Sequence, residues 1–575
     1  MADSPGAKLS AVSRLLGLLR TEKTEIFYLY VYAIINGLIA LSLPLGIQAI
    51  LGLTLANEIS SSWILLIVMV TIGTALAGVL QIMQISITER LQQLIFAKAS
   101  FEFAYRIPRL CMDALLKYYP PELVNRFFDT INLQKGLPKI LIDFSTALLQ
   151  IVFGLIVLSF YHPSFILFGL TLSLLLVLII QLTGGRGLET SIQESDYKYK
   201  VVYWLEELAR TLGAFKLAGN TPLPMSKTDT LVSGYLQARK KHFQVLVFQY
   251  GNVVAFKTVV TAGLLILGST LLIGREINLG QFVAAEIIII LIINSIEKIV
   301  FSADTIYDVL TAIEKLGKIT DLPLERHGGL HMPEGGAGMH VRVRDLSYTY
   351  PGDSQPSLYD VSFEATPGQK VCITGYNASG KSLMLNILSG LFENYDGILA
   401  YDQIPLTNYD PVSLRQHIGD ALSQKVLFRG TLLENLTMGR PEVSLEDVMW
   451  ALEKLHLLGY VQSLPHGLET LVQPEGPQLP QTIVRKLVLA RCIAARPRLL
   501  IMDDILLAFQ QDERAAIVEF LTSMPWTLIA VSADPRLAAR CSQVLVMSRG
   551  TIIGRGTFDQ ICARPDAHDL FTLPL

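Results

Sequence analysis

Charge is scarce in this sequence. Asp, Glu, Lys and Arg make up 17% of its 575 residues, against about 25% in an ordinary soluble chain, and mean hydropathy is +0.43. The shortage lies in the first half, which argues for a membrane domain followed by a soluble one. An excess of positive charge is also missing. The net charge of −3 argues against a chain held to nucleic acid by bulk charge, and no nucleic-acid partner is expected. Cysteine is sparse as well: Cys111, Cys372, Cys492, Cys541 and Cys562 are scattered, with no CxxC pair and no metal-ligand spacing. They read as reduced thiols of a cytosolic face. The span after the first 24 residues is too long for a signal-peptide core and has no small-residue cleavage site, so no cleaved signal is expected.

The long uncharged runs are what the membrane half does have. A crossing helix needs about 20 mostly apolar residues. Residues 26–57, 59–88 and 144–185 contain no charge. With two further apolar runs they give six expected spans, at about 26–56, 60–86, 138–160, 163–185, 253–274 and 279–300. The third and fourth reverse at Tyr161-His162-Pro163-Ser164. The links near 57 and 161 contain no Lys or Arg, and the one near 275 has only Arg275. Residues 89–137 and 186–252 are rich in both, among them Arg90, Lys98, Arg106, Lys198, Arg239 and Lys240. By the positive-inside rule those stretches and both termini face the cytoplasm. They are too long for turns and are rich in Leu, Glu, Gln, Lys and Ala, so the spans are expected to run on as cytoplasmic helical hairpins, reversing near 118–126 and 214–224. Asp143 falls near the cytoplasmic end of the third span. Glu286 lies within the sixth, and two readings stand: a functional intramembrane acid, or a side chain close enough to the outer end to reach water.

The Gly- and Pro-rich stretch 318–338 reads as a linker, separating a membrane domain over 1–317 from a soluble domain over 339–575. The soluble half has one strong motif. An apolar strand runs into Gly375-Tyr376-Asn377-Ala378-Ser379-Gly380-Lys381-Ser382 and then a helical pattern, matching GxxxxGK[ST] in its proper setting. Loop N–H groups at a helix start can cradle phosphates, Lys381 can neutralise them, and the Ser382 hydroxyl can ligate Mg2+. "RLLIMDD" at 498–504 is an apolar strand ending in acids, which fits Asp503 as a second Mg2+ ligand.

With these motifs and six spans, the chain resembles an ABC exporter half-transporter over essentially residues 12–575. The look is nearest to bacterial type I secretion and peptide exporters, and with only about 25 residues before the first span no N-terminal peptidase domain is expected. The resemblance implies a membrane all-α six-helix exporter domain with long cytoplasmic helical extensions, followed by an α/β P-loop NTPase (ABC) domain. It implies ATP and Mg2+ as cofactors, a multi-pass place in the bacterial inner membrane, and a second half-transporter as partner in a homodimer or heterodimer. Contact with membrane lipid, and a periplasmic adaptor with an outer-membrane channel, come with the secretion type. Within it Tyr350 resembles the aromatic that stacks on adenine, Gln424 the Q-loop glutamine that senses the γ-phosphate and Mg2+, and Glu475 an acid facing the partner's hairpins.

Departures cluster in the machinery of hydrolysis. The family's LSGGQ signature is Leu479-Pro480-Gln481-Thr482-Ile483 here. Pro480 has neither hydroxyl nor N–H, and Thr482 and Ile483 add bulk to a turn whose glycines let backbone N–H groups approach closely. The catalytic Glu is Asp504, one methylene shorter, a displacement of roughly 1 Å that can cost about 100-fold. Ala533 replaces the switch histidine, Leu507-Ala508-Phe509-Gln510 replaces the D-loop SALD, and Ala378 replaces a P-loop glycine, a milder change. ATP binding with weak or partner-dependent hydrolysis is expected, Asp504 and Gln424 being the residual catalytic groups. A peptide, protein or other amphipathic cargo is the leading expectation. The alternatives are an ATP-gated channel or regulatory subunit, and a lipid or drug exporter, the last because the cavity residues read as apolar and unspecific.

Overall fold

The computed structural model describes residues 11–21, 23–55, 61–116, 118–422, 427–473, 479–506, 509–564 and 570–571. The described chain divides into two compact units. One comprises the chain up to Pro108 together with Tyr118–Leu322, and the other Arg109–Lys117 together with Pro323 onward.

The first unit is helical. Among the described residues, five helical stretches are long and apolar enough to cross a membrane: Lys23–Leu55, Ser61–Arg109, Pro120–Tyr161, Leu223–Ile273 and Leu279–Thr320. The helix Pro163–Arg210, 48 residues long, stands between the third and fourth of these. The reversal at 161–163 has a local cause: Pro163 takes the first helical position, where a missing N–H costs nothing, and the His162 ring accepts from the Ser164 N–H at 3.2 Å. The uncharged run 26–57 is not one continuous helix. It divides into Lys23–Ala40 and Ser42–Leu55 with a turn at Leu41. Pro44 has no N–H to offer the Ala40 carbonyl, which breaks the ladder there. The last membrane helix, Leu279–Phe301, opens with a capping box in which Asn278 and Gln281 exchange 2.8 Å side-chain-to-backbone hydrogen bonds. Its Ile288, Ile289, Ile292 and Ile293 form a buried face with Ala147, Ile151, Phe256 and Val260. Gly154 permits the close approach: a Cβ there would sit 3.0 Å from the Ile292 side chain.

Below the expected spans the helices continue without a break, to Arg106, to Arg210, and upward again from Leu223. Ion pairs and polar contacts then join them where lipid would not tolerate such groups. His242, 1% exposed, lies between Thr190 (Oγ1 to Nδ1, 2.9 Å) and Asp304 (Nε2 to Oδ1, 3.3 Å).

The second unit is built on β-sheet. Its strands are β1 (Val341–Tyr348), β2 (Leu358–Ala365), β3 (Lys370–Gly375), β4 (Asp396–Tyr401), β5 (Ile404–Pro405), β6 (Ile418–Ala421), β7 (Gly430–Thr431), β8 (Leu471–Val472), β9 (Leu499–Asp503), β10 (Thr527–Val531), β11 (Gln543–Ser548) and β12 (Thr551–Gly556). An antiparallel sheet has the order β2-β1-β4-β5, and a six-stranded sheet the order β12-β11-β3-β10-β9-β6. In the larger sheet β3 pairs in parallel with both β10 and β11, and β9 in parallel with β10 and β6. These strands read as unbroken apolar runs because both faces are covered. Along β9, Leu499 and Ile501 enter one core while Leu500 and Met502 enter the other, as a two-residue period requires.

The segment expected to be a linker is bound along this unit. Met332 is buried, its N–H donating to Ser413 Oγ at 2.9 Å, and Leu330 bridges Tyr409. Arg109–Lys117 joins the same unit: Leu110 bridges Leu324, and Cys111 N–H donates to the Pro323 carbonyl at 3.0 Å.

Candidate functional site

Three loops meet at the C-terminal edge of the parallel sheet, where ligands bind in open α/β folds. Val531, the last residue of β10, lies in register with Ile373 of β3 on one side and Asp503 of β9 on the other. The phosphate-loop sequence, Asp503-Asp504 and the loop carrying Ala533 are therefore neighbours. Two hydrogen bonds lock them together: Asp504 N–H to the Val531 carbonyl at 2.9 Å, and Ser532 N–H to the Ile373 carbonyl at 3.1 Å.

The loop after β3 needs unusual backbone. Gly375 has φ 142° and Gly380 φ 92°, and a Cβ on Gly375 would fall 2.0 Å from the Met547 carbonyl oxygen, so only glycine fits there. Ala378 also lies in the left-handed region, at φ 57°. The loss of glycine at 378 is thus less mild than the sequence suggested, because an L-residue in this conformation is strained by roughly 1–2 kcal/mol. Gly380 then caps the helix Lys381–Leu388, whose first N–H groups point toward the loop. Asn377, Ala378 and Ser382 are exposed and Ser379 is buried. Lys381 Nζ donates to the carbonyls of Gly375 at 2.8 Å and Tyr376 at 2.6 Å, and to Ser379 Oγ at 3.2 Å. Burial lowers the pKa of its ammonium, while Asp503 and Asp504 act to raise it. A cation, a helix N-terminus and exposed hydroxyl and amide groups, with no carboxylate in the loop itself, form a donor set that fits a polyphosphate.

Asp504 has φ 42°, a conformation Asp enters more readily than most residues. Ala533 sits in a well-formed loop: the Asp534 N–H donates to Ser532 Oγ at 3.1 Å, and Asp534 caps the helix Pro535–Arg540 by accepting from Arg536 N–H at 2.9 Å. The loop backbone is built, but the side chain at 533 is a methyl group. Tyr350 is half-buried, its ring edge-on to that of Tyr348 at 5.3 Å. The helix Gln481–Ala494 begins at Pro480 with no side-chain cap. Behind that uncapped turn it is tied firmly: buried Lys486 pairs with Glu513 at 2.9 Å, and Arg491 Nε donates to the Asn435 carbonyl at 2.7 Å. Gln424, Glu475, Leu507 and Ala508 lie outside the described residues.

Two family models match the chain. The model of the ABC transporter transmembrane region covers residues 26–296, and that of the ABC transporter domain covers 358–506. The chain belongs to the ABC transporters. Its membrane region and its ATP-binding domain are fused in one polypeptide, the organisation of a half-transporter. Among solved structures, a bacterial Atm1-family ABC exporter with ATP bound shares the fold at a TM-score of 0.78 and 15% identity, over 95% of this chain and 96% of that one. The ATP-dependent lipid A-core flippase of Burkholderia orbicola is 28% identical over 50% of this chain and 48% of its own length. The alpha-hemolysin translocation ATP-binding protein HlyB of Escherichia coli is 23% identical over 73% of this chain and 60% of its own length. The chain spans about half the length of the first curated relatives it matches. The expected fold is thereby established, a helical membrane region followed by an ABC domain.

Sequence reasoning missed two features of this ABC transporter. One is Asp113, 5% exposed, which lies between two membrane helices in the chain yet belongs to the nucleotide-binding unit. The other is a polar pocket in the membrane unit, lined in part by Gln84, Asp143, Thr146 and Lys298, which stands beside a larger, mainly apolar cavity in the same unit. Single polar residues spread over four helices leave no trace in a hydropathy window.

Proposed function

We propose that this chain is the ATP-binding subunit of a dimeric exporter of the bacterial inner membrane, both termini cytoplasmic, that binds Mg-ATP and hydrolyses it slowly or only with a competent partner. The observation that carries the reading is the sheet edge where β3, β9 and β10 end. Groups suited to holding nucleotide are present there, and those expected to organise hydrolysis are shortened at Asp504 or reduced to a methyl at Ala533. Lys381, Ser379, Gly380 and the N–H groups of the following helix would hold the phosphates, with Gly375, Asn377 and Ala378 shaping the loop and Tyr350 flanking the base. Ser382, Asp503 and Gln424 would hold Mg2+. Bound ATP supplies the phosphoanhydride whose binding energy and cleavage drive the cycle. For the chain's own part, Asp504 would orient water from a retracted position, and the Pro480 turn would present a helix dipole without a hydroxyl grip.

Dimerisation follows from the family arrangement, in which each nucleotide lies between one chain's phosphate loop and the other's signature. The cargo is proposed to be a peptide, a protein or another amphipathic molecule, with a periplasmic adaptor and an outer-membrane channel as further partners. Lipid or drug export is the second reading. A cavity of about 930 Å3 in the membrane unit, walled by Leu91, Ile95, Leu133, Leu137 and Ile313, favours it, and a flippase stands among the relatives. An ATP-gated or regulatory subunit shares the same site chemistry and differs in allowing only downhill flow.

The test is ATP binding and steady-state hydrolysis by the purified chain beside Lys381→Ala. Tight binding lost in Lys381→Ala, with turnover at background, supports the reading. Vigorous Lys381-dependent hydrolysis by the chain alone refutes it.

A further inference from the structure

A polar pocket of about 340 Å3 lies inside the membrane unit. Its walls come from four helices: Asn36 from Lys23–Ala40, Gln81 and Gln84 from Ser61–Arg106, Asp143, Thr146 and Gln150 from Asp129–Tyr161, and Lys298 from Leu279–Phe301. The spacings 81/84 and 143/146/150 place each group on one helix face.

Two of these side chains are buried and unsatisfied. Gln84 is 1% exposed and Thr146 8%. Neither Gln84 Nε2 nor Thr146 Oγ1 has a hydrogen-bond partner among the described residues. Within a bilayer an unmet amide is costly and does not persist for packing alone; Leu and Val would fill the same space. Three of the other groups, Gln150, Asp143 and Lys298, are held in place. Ser295 Oγ donates to Gln150 Oε1 at 2.8 Å, and Lys298 Nζ meets Asp143 Oδ1 at 2.9 Å. The pocket therefore offers carboxamides, which both donate and accept, next to one fixed anion and one fixed cation.

We propose that this pocket binds a short peptide with free ends. Side-chain amides match the donor and acceptor pair of a peptide bond. Asp143 suits an ammonium terminus and Lys298 a carboxylate, so a zwitterion can divide the ion pair without leaving net charge in the membrane. The volume sits at the small end of ligand pockets, about 300–1,000 Å3, which suits two or three residues rather than a long chain or an acyl tail. Calling the ligand cargo rests on the exporter reading above; binding itself does not.

The test uses the full chain in lipid nanodiscs without nucleotide and titrates glycyl-glutamine by calorimetry. Its N-acetylated, C-amidated form and tetraphenylphosphonium serve as comparisons. The free dipeptide should bind at least about tenfold tighter than the blocked form, the loss of roughly one charge-assisted hydrogen bond. Gln84→Leu should weaken it about tenfold while keeping or raising the unfolding temperature, and Thr146→Val should do the same more mildly. Asp143→Asn should narrow the gap between free and blocked forms. The proposal is overturned if glycyl-glutamine does not bind, if tetraphenylphosphonium binds more tightly, or if Gln84→Leu lowers stability and leaves binding unchanged. Lys381→Ala should bind the dipeptide normally, so hydrolysis that persists in that variant would sink the ATP reading and leave the pocket standing.

Discussion

The Tyr348 hydroxyl donates a 2.7 Å hydrogen bond to Oδ1 of Asp113, a residue 235 positions earlier in the chain. The other oxygen of Asp113 accepts from the Glu393 N–H at 3.2 Å. Burial and the neighbouring carboxylate push the Tyr348 phenol far above its ordinary pKa, so it remains a donor throughout the accessible range. Asp113→Ala strands a buried hydroxyl and a backbone N–H and should destabilise this unit by about 1–3 kcal/mol. Tyr348→Phe leaves Oδ1 of the buried Asp113 carboxylate without its donor and should cost a similar amount, about 1–3 kcal/mol. Thermal unfolding checks both variants, and hydrogen exchange separates them: the Glu393 N–H should lose protection in Asp113→Ala and keep it in Tyr348→Phe.

At Ala378 the left-handed backbone gives a gain-of-stability prediction. Ala378→Gly should stabilise the nucleotide-binding unit by about 1 kcal/mol, with ATP affinity equal to or better than that of the native chain. Denaturant titration beside nucleotide binding decides it. A loss of stability would mean that the loop relaxes out of this conformation in solution.

The hydrolysis reading is tested by repair. Asp504→Glu together with Ala533→His should raise turnover by about 10- to 100-fold, since about 1 Å of misplacement carries a penalty of that size. Adding Pro480→Ser should raise it further by returning a hydroxyl to an uncapped helix start. Phosphate release, with Lys381→Ala as the blank, measures both steps.

Acid should loosen the helix packing around His242. The hydrogen bond from His242, with its charge and that of Arg239, holds the Asp304 carboxyl below its ordinary value of 3.8, against a smaller opposing effect of burial. A depressed carboxylate pKa contributes stability that is present above 3.8 and is lost as pH falls through the lower folded-state value. Burial and the charges of Asp304 and Glu194 raise the nearby Asp308, which works in the opposite direction. Asp304→Asn should lower the neutral plateau of the unfolding-temperature profile and flatten its acid limb below about pH 4, since the contribution that acid removes from the native chain is already missing from the variant.

Much of this architecture can be read from local pattern. Uncharged runs mark the membrane helices, and GYNASGKS at the end of an apolar strand marks the phosphate loop, because both depend on residues adjacent in the chain. Pro44 is visible in the sequence, yet a hydropathy window does not register a break in an N–H ladder. Asp113 and Tyr348, or Gln84 and Lys298, are brought together only by tertiary packing. The left-handed φ of Ala378 is equally silent, since alanine gives no conformational hint where glycine would. Gln424 takes its role from the family resemblance alone and lies outside the described residues.

The docking of residues 109–117 onto the nucleotide-binding unit changes what counts as an exchangeable module. A chimera cut only at Pro323 would carry Tyr348, Leu324 and Glu393 away from the short segment that satisfies them. Grafting this ATP-binding domain onto a relative, or a relative's domain onto this chain, therefore means moving two stretches of gene rather than one. The same logic predicts that positions 109–117 and the residues that receive them change in concert as such chains diverge.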